Sequence, residues 1–210
     1  MLDAMSFAEL AAQLAEIGRQ YHTRGWVLGT SGNFSAVVSR EPLCLAITAS
    51  GVDKSTMSAG DVVEMDQHGT VVRGTGLPSA EASLHLAIAR ARGAGAVLHT
   101  HSVWGTILSE AATGDGLAIE GYEMLKGLSG VHTHEHREWL PLLDNTQDWA
   151  ASVPRVQRVL TDEPKAHGFL IRGHGLYTWG RDLAEAKRHV EVLEFLFEVI
   201  VRKRGMAWQQ

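Results

Sequence analysis

Two short segments of this 210-residue chain carry His-Thr-His: "AVLHTHSVWG" (96–105) and "GVHTHEHREW" (130–139). Residues i and i+2 of a β-strand point to the same face, so either pair would present two imidazoles side by side if its segment is extended. That arrangement can hold a metal ion. The first pair follows Ala96-Val97-Leu98, an apolar run of the kind found in buried strands, and a rigid strand fixes ligands better than a loop. Its partner is expected in "RGHGLY", where glycines on both sides of His174 let the backbone turn sharply and bring the ring close to another segment. Three neutral histidines that leave a position open match a catalytic zinc site; structural zinc sites usually close all four positions. The second set, His132, His134 and His136, is mixed with Glu135, Arg137 and Glu138. It reads first as a solvated loop or edge, then as a pocket wall or subunit contact, and last as a metal site. The single histidines at 22, 68, 85, 167 and 189 read as ordinary.

Beside this metal set lie turns suited to an anion. "GTSGNFS" (29–35) and "TASGVDKS" (48–55) offer backbone N–H groups and hydroxyls, Lys54 adds a charge, and neither turn fits a nucleotide-binding fingerprint. Ser79, at the expected N-cap of a helix starting near Glu81, supplies a third contact where helix ends favour phosphate. Together they point to a small phosphorylated ligand.

The elements that must position these residues follow from periodicity. Ser6 and Glu9 form a capping-box pattern ahead of Leu10, Leu14, Ile17 and Tyr21, so the chain opens with an amphipathic helix ended by Gly25. Short β-like pieces separated by turn residues fill 26–73, a helix is expected over 79–93, and "AVLHTHS" reads as a strand. A helix in "SVWGTILSEAA", a strand in "EWLPLLD", a helix disturbed by Pro154, a hairpin around Arg172–Gly175 and a long helix from Asp182 to Arg204 complete the order. The pattern predicts one domain over 1–210, an α/β fold with a central mixed, largely antiparallel sheet and helices on both faces.

Composition narrows the function. A 45% hydrophobic, 20% charged chain is that of an ordinary globular protein, and a net charge of −5 with no concentrated Lys/Arg patch argues against nucleic acid. The run Arg202-Lys203-Arg204 suits a helix C-terminus. Met1 to Leu10 lack a secretory leader, and the longest apolar stretch, 192–201, is broken by Glu194 and Glu198, so a cytoplasmic protein without a membrane span is expected. The lone Cys44 reads as a small buried residue of a strand.

The ordered set "GTSGNFS", "TASGVDK", "SAEASLHLAI", "GAGAVLHTHS" and "RGHGLYTWG" resembles the class II aldolase family across nearly the whole chain. The resemblance implies α/β/α layers, one zinc ion per subunit, a small phosphorylated ketose as substrate, and a homotetramer with its site near a subunit interface. It carries over His99, His101 and His174 as zinc ligands and Gly32, Asn33, Ser50, Gly51 and Ser79 as phosphate contacts. Ala80 departs from the pattern, standing where the sugar-phosphate aldolases often have a second serine. "GYEMLKGL" (121–128) and "PLLDNTQD" (141–148) are similar to the family's dehydratase branch, which serves methionine salvage. That branch makes Glu123 the first choice for the acid/base, with Glu81, at the aldolases' catalytic position, second. The alternatives are an aldolase or 4-epimerase acting on a phosphorylated ketose and, more remotely, a non-catalytic adducin-like binding domain.

Overall fold

The computed structural model describes residues 5–207; Met1–Ala4, the start of the stretch read above for a leader, and 208–210 lie outside it. Nine strands form one sheet in the order β4-β3-β2-β1-β5-β9-β8-β7-β6. They are β1 Asn33–Arg40, β2 Leu43–Thr48, β3 Val62–Met65, β4 Val71–Arg73, β5 Ala96–Thr100, β6 Gly116–Ile119, β7 Glu138–Leu143, β8 Gly168–Ile171 and β9 Gly175–Gly180. Every neighbouring pair is antiparallel except β7 with β8. The expected mixed sheet is present. β6 carries little sequence signal, because "GLAI" is only four residues long and its burial does not alternate.

Five helices cover the two faces: α1 Phe7–Thr23, α2 Ala82–Arg92, α3 Val103–Ala111, α4 Trp149–Asp162 and α5 Leu183–Ala207. Alternation along the strands divides the core. Ala96 and Leu98 of β5 pack with α1 and the first turns of α5, whereas Val97, Phe169, Tyr177 and Trp179 pack with α2 and α4. Leu108 of α3 joins Leu193, Leu196 and Phe197 of α5 over β7 and β8. The result is three layers, α1, α3 and α5 on one side and α2 and α4 on the other. Ser6 and Glu9 make the expected capping box, and α4 runs through Pro154 from an Asp148 cap.

Cys44 lies in β2 but is half-buried rather than buried, and partial burial raises its thiol pKa, which disfavours the nucleophilic thiolate. Among the described residues no helix is long and apolar enough to cross a membrane.

Candidate metal centre and anion pocket

β5 and β9 meet at the middle of the sheet, and their ends build the centre. Val97 and His99 share the face toward α2, and His101, just past the strand, is tied down by its N–H donating to Trp26 O (2.8 Å). Ser102 then caps α3, its Oγ accepting from Gly105 N, so the chain turns away directly after the second imidazole. His174 sits on the β8–β9 turn, which the left-handed Gly173 (φ +60°) makes possible. Gly175 allows the close approach: a Cβ there would lie 1.9 Å from Thr100 O. Because that neighbour is backbone and cannot swing aside, Gly175→Ala should cost about 3 kcal/mol or more in denaturant unfolding and lower bound metal as well. Unchanged stability and metal content would refute the close-packing argument.

The three Nε2 atoms converge. His101 and His99 are 2.8 Å apart, His99 and His174 3.2 Å, and His174 and His101 3.0 Å. A tetrahedral ion with metal–nitrogen bonds of about 2.0–2.1 Å separates its ligand nitrogens by roughly 3.3 Å, so the triangle is close to the size needed. The tautomers agree. His99 Nδ1 is 2.9 Å from Leu176 O, which can only accept, and His174 Nδ1 is 3.3 Å from Asn145 Oδ1. In these two rings Nδ1 therefore carries the proton and the Nε2 lone pair faces inward. Burial first, then mutual repulsion of the rings, keeps His99 and His101 neutral, with the His101 pKa pushed down to about 2; burial also lowers His174. Inward-facing lone pairs on neutral rings call for a cation, and these residues fit a divalent transition metal with an open position.

Glu81 stands against this triangle, Oε2 3.3 Å from His99 Nε2 and Oε1 3.3 Å from His174 Nε2. A chain of hydrogen bonds holds it. Tyr177 OH donates to Glu81 Oε2 (2.5 Å), as does Asn33 Nδ2 (2.8 Å), while Asn33 Oδ1 meets His85 Nε2 (2.5 Å). Since Asn33 spends its N–H groups on Glu81 and Ser79, its oxygen is the acceptor and His85 the donor, leaving His85 Nδ1 to accept from Ser35 Oγ (2.7 Å). Burial pulls the His85 pKa down to about 4, as this neutral role requires. Register explains the gathering: Asn33, His99 and Tyr177 lie in one row across β1, β5 and β9, with Tyr177 stacked on His99 at 3.9 Å. His85 and Tyr177 escaped sequence reasoning, because a cross-strand row is written in no single segment.

The turn residues meet beside the centre. Gly32, Asn33, Ser50, Gly51, Lys54 and Ser79, together with Glu81 and His101, line one cavity of about 190 Å³. Lys54 is buried, donating to Val52 O (3.0 Å) and Thr30 O (3.3 Å); burial lowers its pKa to about 8, and one N–H remains for a ligand. Gly32 and Gly51 have φ of +73° and +74°, and a Cβ on Gly32 would strike His99 O. Ser79 is not the helix cap expected for it. The N-cap of α2 is Glu81, and Ser79 Oγ accepts from Asn33 Nδ2 (3.2 Å) and Glu81 N (3.3 Å) because the chain makes one more turn before the helix starts.

Glu123 is placed elsewhere in the single chain. It opens a short 3-10 turn, Glu123–Gly127, with its side chain 71% exposed; Oε1 accepts from Lys126 Nζ (2.5 Å) and Oε2 lies 3.8 Å from His134 Nδ1. The Lys126 hydrogen bond holds its carboxyl below the usual range. His132 and His134 are exposed, as a solvated set should be. His136 departs from that expectation: it turns inward, Nε2 2.8 Å from Glu138 Oε2, because Glu138 is buried at the start of β7.

Comparison with known proteins agrees with this architecture. The family model described as class II aldolase and adducin N-terminal domain matches residues 12–201. A methylthioribulose-1-phosphate dehydratase of Marinobacter nauticus is 44% identical over 200 residues, 94% of this chain and 95% of that one. One of the same name from Pseudomonas aeruginosa PAO1 is 44% identical over 191 residues, 90% and 92% of the two chains. Among solved structures, an L-fuculose-1-phosphate aldolase from Thermus thermophilus superposes with TM-score 0.74 at 24% identity, covering 97% of this chain and 98% of that one. The layered fold, the converging histidines and the end-to-end match together place the chain in the class II aldolase and adducin N-terminal domain family.

Proposed function

We propose that this protein is a methylthioribulose-1-phosphate dehydratase, removing water from 5-methylthioribulose 1-phosphate to give 2,3-diketo-5-methylthiopentyl 1-phosphate in methionine salvage. The observation that carries the reading is the three-histidine centre with an anion cavity at its edge, in a chain similar end to end to proteins of that name. We assign zinc, one ion per subunit, to His99, His101 and His174. When bound, it supplies Lewis-acid polarisation to the substrate's C2 carbonyl and C3 hydroxyl. Lys54, the Gly32-Asn33 and Ser50-Gly51 turns and Ser79 receive the phosphate and fix which end of the substrate faces the histidines.

The chemistry needs a base for the C3 proton and an acid for the departing C4 hydroxyl; ketonisation of the resulting C3 enol then gives the diketone. We assign both steps to Glu123. Its exposure and its surface partners in the single chain fit that role only if another subunit covers it, so the assignment goes with a homotetramer in which Glu123 serves a neighbour's centre. Desolvation there would lift its pKa toward the value proton exchange requires. Glu81, held by Asn33 and Tyr177 against the imidazoles, is the second choice, and its position is what favours the rival reading, an aldolase or 4-epimerase. A purely adducin-like binding role leaves the three converging imidazoles without purpose. We place the enzyme in the cytoplasm, where its phosphorylated substrate would be made and consumed.

Incubation of the purified protein with methylthioribulose 1-phosphate and, separately, fuculose 1-phosphate distinguishes these readings by mass. Loss of 18 Da from the first substrate alone is expected for elimination of one water. Carbon–carbon cleavage of the second, with the first untouched, would overturn the dehydratase reading in favour of the aldolase.

A further inference from the structure

At the opposite end of β8 from His174 lies a second convergence of ligating groups. His136, Glu138 and His167 each offer one atom, all within 4.8 Å of one another. The two ends are separated by the four residues of β8, about 13 Å of strand. β7 and β8 run parallel, so Glu138 at the start of one and His167 just before the other come together, and the turn into β7 folds His136 over them.

The donor geometry is specific. Glu138 is 1% exposed, and its Oε2 lies 2.8 Å from His136 Nε2 and 2.9 Å from His167 Nδ1, while its Oε1 accepts from His167 N (2.9 Å). His167 Nε2 is 2.8 Å from Ser129 O, an acceptor only, so that nitrogen carries a proton and Nδ1 is the one turned to the carboxylate. A ring whose far N–H is fixed on a carbonyl is the usual arrangement of a metal-bound histidine. His136 and His167 line a cavity of about 630 Å³, and His136 is partly exposed at its mouth, so an ion has both a route in and room for further ligands. His189 lines the same cavity but is committed elsewhere, donating from Nδ1 to Trp179 O (2.7 Å) and accepting from Ser129 N (3.1 Å).

We propose that His136 Nε2, His167 Nδ1 and Glu138 Oε2 form a second site for a divalent transition metal, of the two-histidine, one-carboxylate type, distinct from the three-histidine centre. That donor set suits zinc or ferrous iron and leaves positions open toward the cavity. Without the ion a proton fills the same place: although burial opposes it, the Glu138 hydrogen bond and charge hold the His167 pKa above its ordinary value. The metal must displace that proton, so this site binds more weakly than the first, where lone pairs already face one another. An occupied site would tighten the existing link from the start of β7 through His167 to Ser129, and so brace the loop that leads away from the Glu123 turn.

The test is metal stoichiometry. Chelator-stripped protein is equilibrated with excess Zn²⁺, freed of unbound ion on a desalting column, and its zinc measured per chain by atomic emission. Two ions are expected for the wild type, falling to one in His136→Ala and in His167→Asn, whereas the exposed pair His132→Ala/His134→Ala keeps two. His99→Ala should also fall to one, retaining the second site. A wild-type ratio of one, or a ratio of two unaltered by both His136→Ala and His167→Asn, would overturn the proposal. His136→Ala guards against a folding failure at His167, because His136 is partly exposed and its loss leaves the Glu138–His167 contact intact. Circular dichroism on each variant confirms that the comparison is among folded proteins.

Discussion

His99→Ala should abolish zinc binding at the three-histidine centre and lower kcat/KM by on the order of a thousandfold or more. Lewis-acid stabilisation contributes several kcal/mol, and about 4 kcal/mol corresponds to that factor. His99 is the ligand to choose because it is fully buried, stacked on Tyr177 and fixed through Nδ1 on Leu176 O, so no other side chain can take over its place. The loss should appear in kcat rather than in KM alone, since the anion cavity keeps Lys54 and its turns. Dialysis against a chelator should give the same defect in the wild type and be reversed by Zn²⁺, whereas His99→Ala should not recover. A variant that lost the three-histidine ion but kept more than a tenth of its activity would separate that metal from the reaction.

The second large effect concerns Glu123. Glu123→Gln should lower kcat by about 10²–10⁴, the usual contribution of a general acid–base, with zinc content unchanged. Glu81→Gln should give the smaller loss in dehydration. Because Glu123 is exposed in the single chain and paired with Lys126 and His134, the assignment predicts a result beyond the simple loss. Mixing inactive Glu123→Gln subunits with inactive His99→Ala subunits should restore activity. A hybrid assembly contains interfaces in which intact histidines of one subunit meet an intact Glu123 of another. Failure to complement in proven hybrids, with Glu81→Gln the more damaging substitution, would move the proton chemistry to Glu81 and into a single chain.

What could be read from the residues depended on how locally each feature is encoded. The His99/His101 pair was legible because strand periodicity and an apolar run sit in one segment, and the Gly-rich turns because they carry their conformation with them. His174 was legible through its glycines and the family resemblance. Glu81's fixed position was not, because it depends on Asn33 and Tyr177, brought beside it by the register of three strands. The same holds for His85, which reads as an ordinary single histidine until Ser35 and Asn33 are placed on its two nitrogens. His136 was misread for a different reason: the charges beside it suggested solvent, yet Glu138 is drawn inside by the start of β7 and takes His136 with it.

The adjacency of β5 and β9 has a kinetic side. His99 and His174 are 75 residues apart in the chain, yet β5, which carries His99, and β9, which begins just after His174, are hydrogen-bonded neighbours at the middle of the sheet. Bringing those strands together means closing a long loop, an entropic cost that must be met before the centre exists. An ion at the three histidines therefore arrives after the central pairing and does little to speed folding; once there, it retards escape from the native state. Its contribution to the protein's lifetime is that of a lock fitted last.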